Sequence, residues 1–315
     1  MKILVTGGGG FIGSHLVDLL LKRDHLITVL DNFSTGKYSN LPQNHPHLQI
    51  IEGDIRDATT VFEVTEGCDA IVHLAAVASV QASVDDPVGT HAVNLVGTVN
   101  LLEAAKLHAI KRFVFASSAA IYGNTEILPV SETTPLSPLT PYAVDKLASE
   151  YYIDFYRRQY GLSPVVFRFF NIFGPRQDPS SPYSGVISIF MQRAINDLLM
   201  TVFGDGKQSR DFVYVADLVQ LLAAAVETQK PHHLPMNVGN GLQTDLNQLL
   251  DLIREFSGKQ LDVSYTEARA GDITHSLADN RAVCKKMNYQ SQYSVARGLE
   301  VTYDWYLTQE SMIKS

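Results

Sequence analysis

The stretch Ile3-Leu4-Val5-Thr6-Gly7-Gly8-Gly9-Gly10-Phe11-Ile12-Gly13 decides the fold. Its first three residues read as a short buried strand. A glycine-rich turn follows. Phe11–Lys22 then repeats apolar residues at helical spacing, with Ile12, Leu16, Leu19 and Leu20 on one side. Gly7, Gly10 and Gly13 are spaced G-x-x-G-x-x-G. In such a strand–turn–helix unit the first glycine permits the sharp turn. The second lets the backbone approach a diphosphate, and the third lets the helix pack closely on the strand. The free N–H groups and partial positive charge at the helix start, around Phe11 and Ile12, suit the same anion. A glycine turn alone also fits a tight strand–helix connection, so its meaning depends on context.

The context is a series of strands and helices. Leu26–Leu30 is a second apolar strand and ends in Asp31-Asn32. An acidic residue at that distance binds the ribose diol of a dinucleotide. A carboxylate there repels a 2′-phosphate, so NAD is favoured over NADP; no basic residue adjoins Asp31, and Lys37 lies six residues on. His47–Ile51, Ala70–Leu74, Phe113–Ser117 and Ser163–Phe169 read as further strands, with helices Asn94–Leu107 and Tyr142–Tyr160 between them. Strands alternating with helices predict an α/β fold, a doubly wound parallel sheet covered on both faces. The second half is less regular. Asn171–Gly185 and Pro231–Gly241 read as a loop and a turn-rich connection. Val186–Leu199, Asp217–Thr228 and Leu246–Ser257 read as helices. Residues 1–168, rejoined by about 211–237, are expected to form the cofactor domain. Residues 169–210 and 238–315 are expected to form a smaller C-terminal α/β substrate domain.

Composition excludes several classes. The chain has 315 residues, 45% hydrophobic and 18% charged, with a formal charge of −8. That is globular composition, and the acidic balance argues against a nucleic-acid or polybasic membrane binder. Two cysteines, Cys68 and Cys284, exclude a disulfide framework and a multi-cysteine metal site. The ten histidines lack metal-ligand spacing, so no metal is expected. No signal-peptide pattern and no long apolar span is present, so a reducing, cytoplasmic location is expected.

Tyr142 and Lys146 are spaced i, i+4, which places both on one helix face, with Thr140 as a cap and Pro141 in the first turn. About half an occurrence of this pair is expected by chance. This pair, however, follows a strand ending in Ser117-Ser118, at the carboxyl edge where open sheets bind ligands. The chemistry fits the residue types. A phenol has a pKa near 10. Lowering it by about three units takes roughly 4 kcal/mol, which one cation at about 4 Å supplies at an effective dielectric near 20. Lys146 and a positive nicotinamide ring are the two cations. Ser118 would hydrogen-bond the reacting hydroxyl.

These motifs resemble the extended short-chain dehydrogenase/reductase family, with its Rossmann-type fold, and within it the nucleotide-sugar 4-epimerases. Thr6–Gly13, Asp31-Asn32, Asp54-Ile55, His73–Ala76, Asn94, Ser117–Gly123, Tyr142–Lys146, Arg168–Asn171 and Ser209–Phe212 carry the resemblance over nearly the whole chain. It implies that Asp54 and Ile55 flank the adenine and that Ala75 and Ala76 pass the pyrophosphate. It implies that Asn94 supports the active-site helix within the cofactor site and that Lys146 also binds the nicotinamide ribose. It further implies a UDP-sugar substrate and a homodimer formed through Asn94–Leu107 and Tyr142–Tyr160.

Departures from relatives narrow the reaction. Dehydratases of this family carry an Asp-Glu pair after the active-site Ser/Thr, and decarboxylases keep a Glu. Here those positions are Ala119 and Ala120, whose methyl groups cannot act as acid or base. Hydride removal from C4 and its return to the opposite face remain. By resemblance, Arg210 and Arg269 bind the diphosphate with Asn171, Phe203 packs the uracil, and Asp272 holds the uridine ribose. Ser276 stands where epimerases restricted to plain hexoses carry a tyrosine, and Ala78 where they carry a lysine. A serine leaves room for a 2-acetamido group, so UDP-GlcNAc and UDP-GalNAc are the expected pair, with UDP-Glc and UDP-Gal as weaker substrates. A UDP-uronate 4-epimerase, a 4-ketoreductase and an NAD-sensing binding protein are the alternatives.

Overall fold

The computed structural model describes residues 1–179, 185–268 and 273–314, with side chains to Ser311. Its strands are β1 (Lys2–Thr6), β2 (Leu26–Asp31), β3 (Leu48–Glu52), β4 (Ala70–His73), β5 (Arg112–Ser118), β6 (Ser163–Phe169), β7 (Asn171–Phe173), β8 (Met200–Phe203), β9 (Ser209–Arg210), β10 (Phe212–Tyr214), β11 (Met236–Val238), β12 (Thr244–Asp245) and β13 (Val263–Thr266). Its helices are α1 (Phe11–Lys22), α2 (Ala58–Thr65), α3 (Val80–Asp85), α4 (Pro87–His91), α5 (Gly97–Leu107), α6 (Pro141–Tyr160), α7 (Val186–Ile195), α8 (Val215–Glu227), α9 (Leu246–Ser257), α10 (Arg281–Met287) and α11 (Val295–Lys314). No helix among the described residues is long and apolar enough to cross a membrane.

Seven strands form one parallel sheet in the order β11-β6-β5-β4-β1-β2-β3. Side chains alternate across it. Ile3 and Val5 join one core with Leu16, Val17 and Leu20 of α1 and Leu218 and Leu222 of α8. Leu4 joins the opposite core with Val61 of α2, Leu101 and Leu102 of α5, and Ile153 and Tyr156 of α6. Burial on both faces explains why each strand reads as an unbroken apolar run. The first core continues into α7 and α9 through Phe190, Met191, Leu250 and Ile253.

Strand order reverses between β1 and β4. In open α/β sheets the ligand crevice lies beyond the carboxyl ends of the strands at such a switch. Gly7, Asp31, Leu74, Ser118 and Phe169 all stand at that edge.

Three expectations are corrected. Pro231–Gly241 is more than a connection, because Met236–Val238 is the seventh strand, buried and paired in parallel with β6. Asn171–Gly185 begins with strand β7, which pairs with β10. Both runs are three residues long and flanked by glycine or proline, too short for periodicity to register. The helix expected over Val186–Leu199 ends at Ile195.

Candidate active site

A cleft of about 1030 Å³ runs along the carboxyl edge of the sheet. At one end lies the glycine turn. Gly7 has φ +70°, and a Cβ there would stand 2.7 Å from the Ala75 nitrogen. A Cβ on Gly13 would stand 2.1 Å from the Gly7 carbonyl oxygen. On Gly10 the nearest atom would be 3.2 Å away, on the turn itself. Gly10 is the N-cap of α1, no side chain caps the helix, and its first turn carries no acid. The first-turn N–H groups are thus left for an anion, as a diphosphate requires. Phe11, Ile12, Ala75 and Ala76 line the same end.

Asp31 is 8% exposed at the end of β2. Its two oxygens accept the amides of Gly9 and Phe33, each at 2.8 Å. Each oxygen keeps a lone pair for a ribose hydroxyl. Asn32, Asp54 and Ile55 complete this end of the cleft. Asn32 donates to Asp54 at 3.0 Å. The Arg56 guanidinium beside Asp54 holds that carboxyl down at about 2. This cradle fits an NAD molecule, with a diol acceptor at Asp31 and uncapped amides at α1. Asn94 is not part of it. Asn94 is buried behind the wall, where its amide group accepts from the Val77 N–H at 2.8 Å and donates to the Val77 carbonyl at 3.1 Å. The Ser149 hydroxyl of α6 reaches the Asn94 carbonyl at 3.4 Å. Asn94 therefore joins the loop after β4 to α6 and is not among the residues that line the cleft.

At the centre, α6 begins as its sequence requires. Thr140 Oγ1 accepts the Ala143 amide at 3.4 Å, and Pro141 occupies the first turn. Tyr142 and Lys146 both face the cleft. Ser118 stands beside the Tyr142 phenol and opposes the upward push of burial on it. Lys146 is 4% exposed. Its Nζ donates to the Ala116 carbonyl at 2.8 Å and lies 4.8 Å above the Phe115 ring. Burial lowers its pKa to about 8. Nζ is 5.9 Å from the centre of the Tyr142 ring.

A buried network fixes the strand carrying Ser118. Ser117 donates to Glu150 at 2.6 Å, Arg168 pairs with Glu150 at 2.7 Å, and Arg168 donates to the Tyr122 hydroxyl at 2.7 Å. Tyr122 donates to Asn237 of β11 at 2.7 Å. Removing one partner of such a buried pair costs about 3–5 kcal/mol.

At the far end, Asn171, Phe203, Arg210 and Ser276 line the cleft together. Arg210 donates to the Ser209 carbonyl at 2.9 Å. The adjacent Asp211 turns into the interior, where it accepts the amides of Asn240, Gly241 and Ala278 at 2.7, 2.9 and 3.1 Å. Through Ala278, Asp211 seats the segment that carries Ser276. The Ser276 amide donates to the Ser209 carbonyl at 3.0 Å. Arg269 and Asp272 lie outside the described residues. Arg193 and Gln208 also line the cleft. Gln208 could have been read from its place between Phe203 and Arg210. Arg193 sits in an apolar helix with no motif to flag it. Among the described residues no cluster of His, Cys, Asp and Glu could hold a metal ion.

The chain is similar to proteins of this architecture over nearly its whole length. It is 35% identical over 305 residues to a putative UDP-glucose 4-epimerase of Methanocaldococcus jannaschii, covering 96% of this chain and 97% of that one. The structure of UDP-glucose 4-epimerase from Thermotoga maritima with UDP-glucose superposes with a TM-score of 0.94 at 36% identity, covering 98% of this chain and all of that one. The UDP-N-acetylglucosamine 4-epimerase of Methanobrevibacter ruminantium, in complex with UDP-N-acetylmuramic acid, gives 0.94 at 37% identity, covering 98% of both chains. Residues 3–239 match the NAD dependent epimerase/dehydratase family. The chain belongs to the NAD dependent epimerase/dehydratase family, as an enzyme whose cofactor is NAD and which is similar over nearly its whole length to nucleotide-sugar 4-epimerases.

Proposed function

We propose that this NAD-dependent 4-epimerase interconverts UDP-GlcNAc and UDP-GalNAc through a 4-keto sugar. The observation that carries the substrate is Ser276, a small half-buried side chain in the cleft wall beside Phe203 and Arg210. A hydroxymethyl group there leaves space for a 2-acetamido substituent. NAD, when bound, supplies the acceptor for the C4 hydride and a second positive charge. Gly7, Gly10, Phe11, Ile12 and Gly13 would hold its diphosphate, and Asp31 its ribose.

Tyr142 Oη takes the proton of the sugar 4-hydroxyl and returns it after the sugar has turned. Ser118 holds that hydroxyl in line, and Lys146 keeps positive charge near the phenol. Arg210 and Asn171 hold the diphosphate while the sugar rotates, a task suited to a guanidinium fork. Ala119 and Ala120 line the cleft with no acid between them, which supports epimerisation over elimination or decarboxylation. Residues 1–168 and 211–237 would form the cofactor domain, and 169–210 and 238–315 the substrate domain. A homodimer is part of this reading. Val96, Leu107, Val144, Tyr151 and Phe155 leave an exposed apolar face on α5, the turn before it, and α6.

Proton NMR of the enzyme with UDP-GlcNAc, and separately with UDP-Glc, tests the proposal. Faster formation of UDP-GalNAc than of UDP-Gal is expected. Conversion of UDP-Glc alone would support a second reading, a 4-epimerase of UDP-Glc and UDP-Gal, which the names of two relatives favour.

A further inference from the structure

Asp145 directly precedes Lys146 on α6 but faces away from the cleft. It is 3% exposed. Its Oδ1 accepts from Nδ1 of His91, on α4, at 2.8 Å. Its Oδ2 is buried with no hydrogen-bond partner among the described residues. A buried carboxylate oxygen without a partner is costly, and a neutral side chain would avoid the cost. The charge itself therefore calls for a role. On the other side of the helix backbone, Lys146 is buried against an aromatic ring and a carbonyl, with no carboxylate in contact among the described residues. A buried ammonium in such surroundings tends to release its proton.

We propose that Asp145 is a positioning residue that acts through Lys146, its buried negative charge keeping the lysine an ammonium while Tyr142 works. This rests on the reading of Lys146 as the cation beside the catalytic phenol. Burial lowers the Lys146 pKa, and Asp145 pushes it back up. The other charged groups around the pair are accounted for. His73 on β4 is held neutral by burial. Glu150, one turn along α6, is paired with Arg168 of β6. Asp85 and Asp86 are exposed; Asp85 accepts from Gln81, and Asp86 caps α4. Tyr142 lies on the Lys146 side, and His91, its side chain 54% exposed, faces Asp145.

Two substitutions test this on the intact enzyme. Asp145→Asn removes the charge and keeps the shape. His91→Lys leaves the buried residues untouched and places a permanent cation against Asp145, so it reports even where the first variant folds poorly. The Lys146 titration is read by competitive labelling with acetic anhydride across pH, with the Lys146 peptide quantified by mass spectrometry. In both variants the labelling midpoint should fall by about one pH unit. The alkaline limb of kcat/KM should fall with it, while activity near pH 6 stays within about twofold of wild type. Unchanged labelling midpoints in both variants would overturn the proposal. A lowered midpoint with an unmoved activity profile would uphold the coupling and overturn the catalytic reading of the Lys146 charge.

Discussion

Asp31 Oδ2 accepts a hydrogen bond from the Gly9 amide at 2.8 Å, tying the end of β2 to the glycine turn. Asp31, the proposed ribose ligand, thus also shapes the loop proposed to hold the phosphates. Asp31→Asn would present a donor to the N–H of either Gly9 or Phe33, because an amide has one oxygen where the carboxylate has two. NAD affinity should fall about tenfold or more, roughly 1.4 kcal/mol. Calorimetric titration of nucleotide-free enzyme with NAD checks it. Affinity equal to wild type would mean that Asp31 neither shapes the loop nor meets the ribose.

Two glycines in that loop should respond differently. A methyl group on Gly13 would collide with backbone of the turn at 2.1 Å, so Gly13→Ala should lose both stability and NAD. On Gly10 the nearest atom is at 3.2 Å, and the added methyl would occupy the phosphate approach. Gly10→Ala should keep a near-native melting temperature and lose NAD affinity at least tenfold. Equal melting and binding defects in both variants would refute the distinction.

Replacing Tyr142 by Phe removes the phenol oxygen that Ser118 contacts and leaves the ring packing in place. Positioned acid–base groups contribute about 10²–10⁴ in rate. Epimerisation should fall by that factor, with bound nucleotide and thermal stability retained. Turnover near the wild-type rate would exclude Tyr142 as the base.

Ser276→Tyr should separate substrate selection from chemistry. A ring at this wall would fill the acetamido space. UDP-GlcNAc turnover should drop about 100-fold in kcat/KM, or ~2.7 kcal/mol, while UDP-Glc changes by less than about threefold. Equal losses on both substrates, measured in parallel NMR assays, would remove Ser276 from any role in sugar size.

The legible parts of the sequence were those where one residue has few substitutes or a pattern runs long. The glycine turn, Asp31 and the Tyr142–Lys146 spacing carry their chemistry locally, and the six longer central strands carry it as unbroken apolar runs. Met236–Val238 was not legible because three residues between Pro235 and Gly239 have no period to detect. Arg193 reaches the cleft only through the packing of α7, a tertiary consequence with no local signature. Asn94 was legible as a motif residue, but its direction was not. It holds the Val77 peptide from behind.

His73 gives the fold a built-in acid sensitivity. It is buried between Thr6 Oγ1, 2.8 Å from Nδ1, and Thr98 Oγ1, 2.9 Å from Nε2. Thr98 spends its own proton on the Asn94 carbonyl at 2.6 Å, so Nε2 carries the hydrogen and Nδ1 accepts from Thr6. Protonating Nδ1 would break that bond. Burial first, and the Lys146 charge second, lower the His73 pKa to about 3. Between 6.5 and about 3 the unfolded chain binds a proton that the folded chain does not, so stability falls as pH falls through this window. The slope is at most about 1.4 kcal/mol per pH unit, or roughly 2 kcal/mol between pH 7 and 5. His73→Gln keeps a donor and an acceptor but has no charge to gain. Urea unfolding at both pH values should show a shallower loss in the variant than in the wild type, and parallel losses would assign the acid sensitivity to other groups.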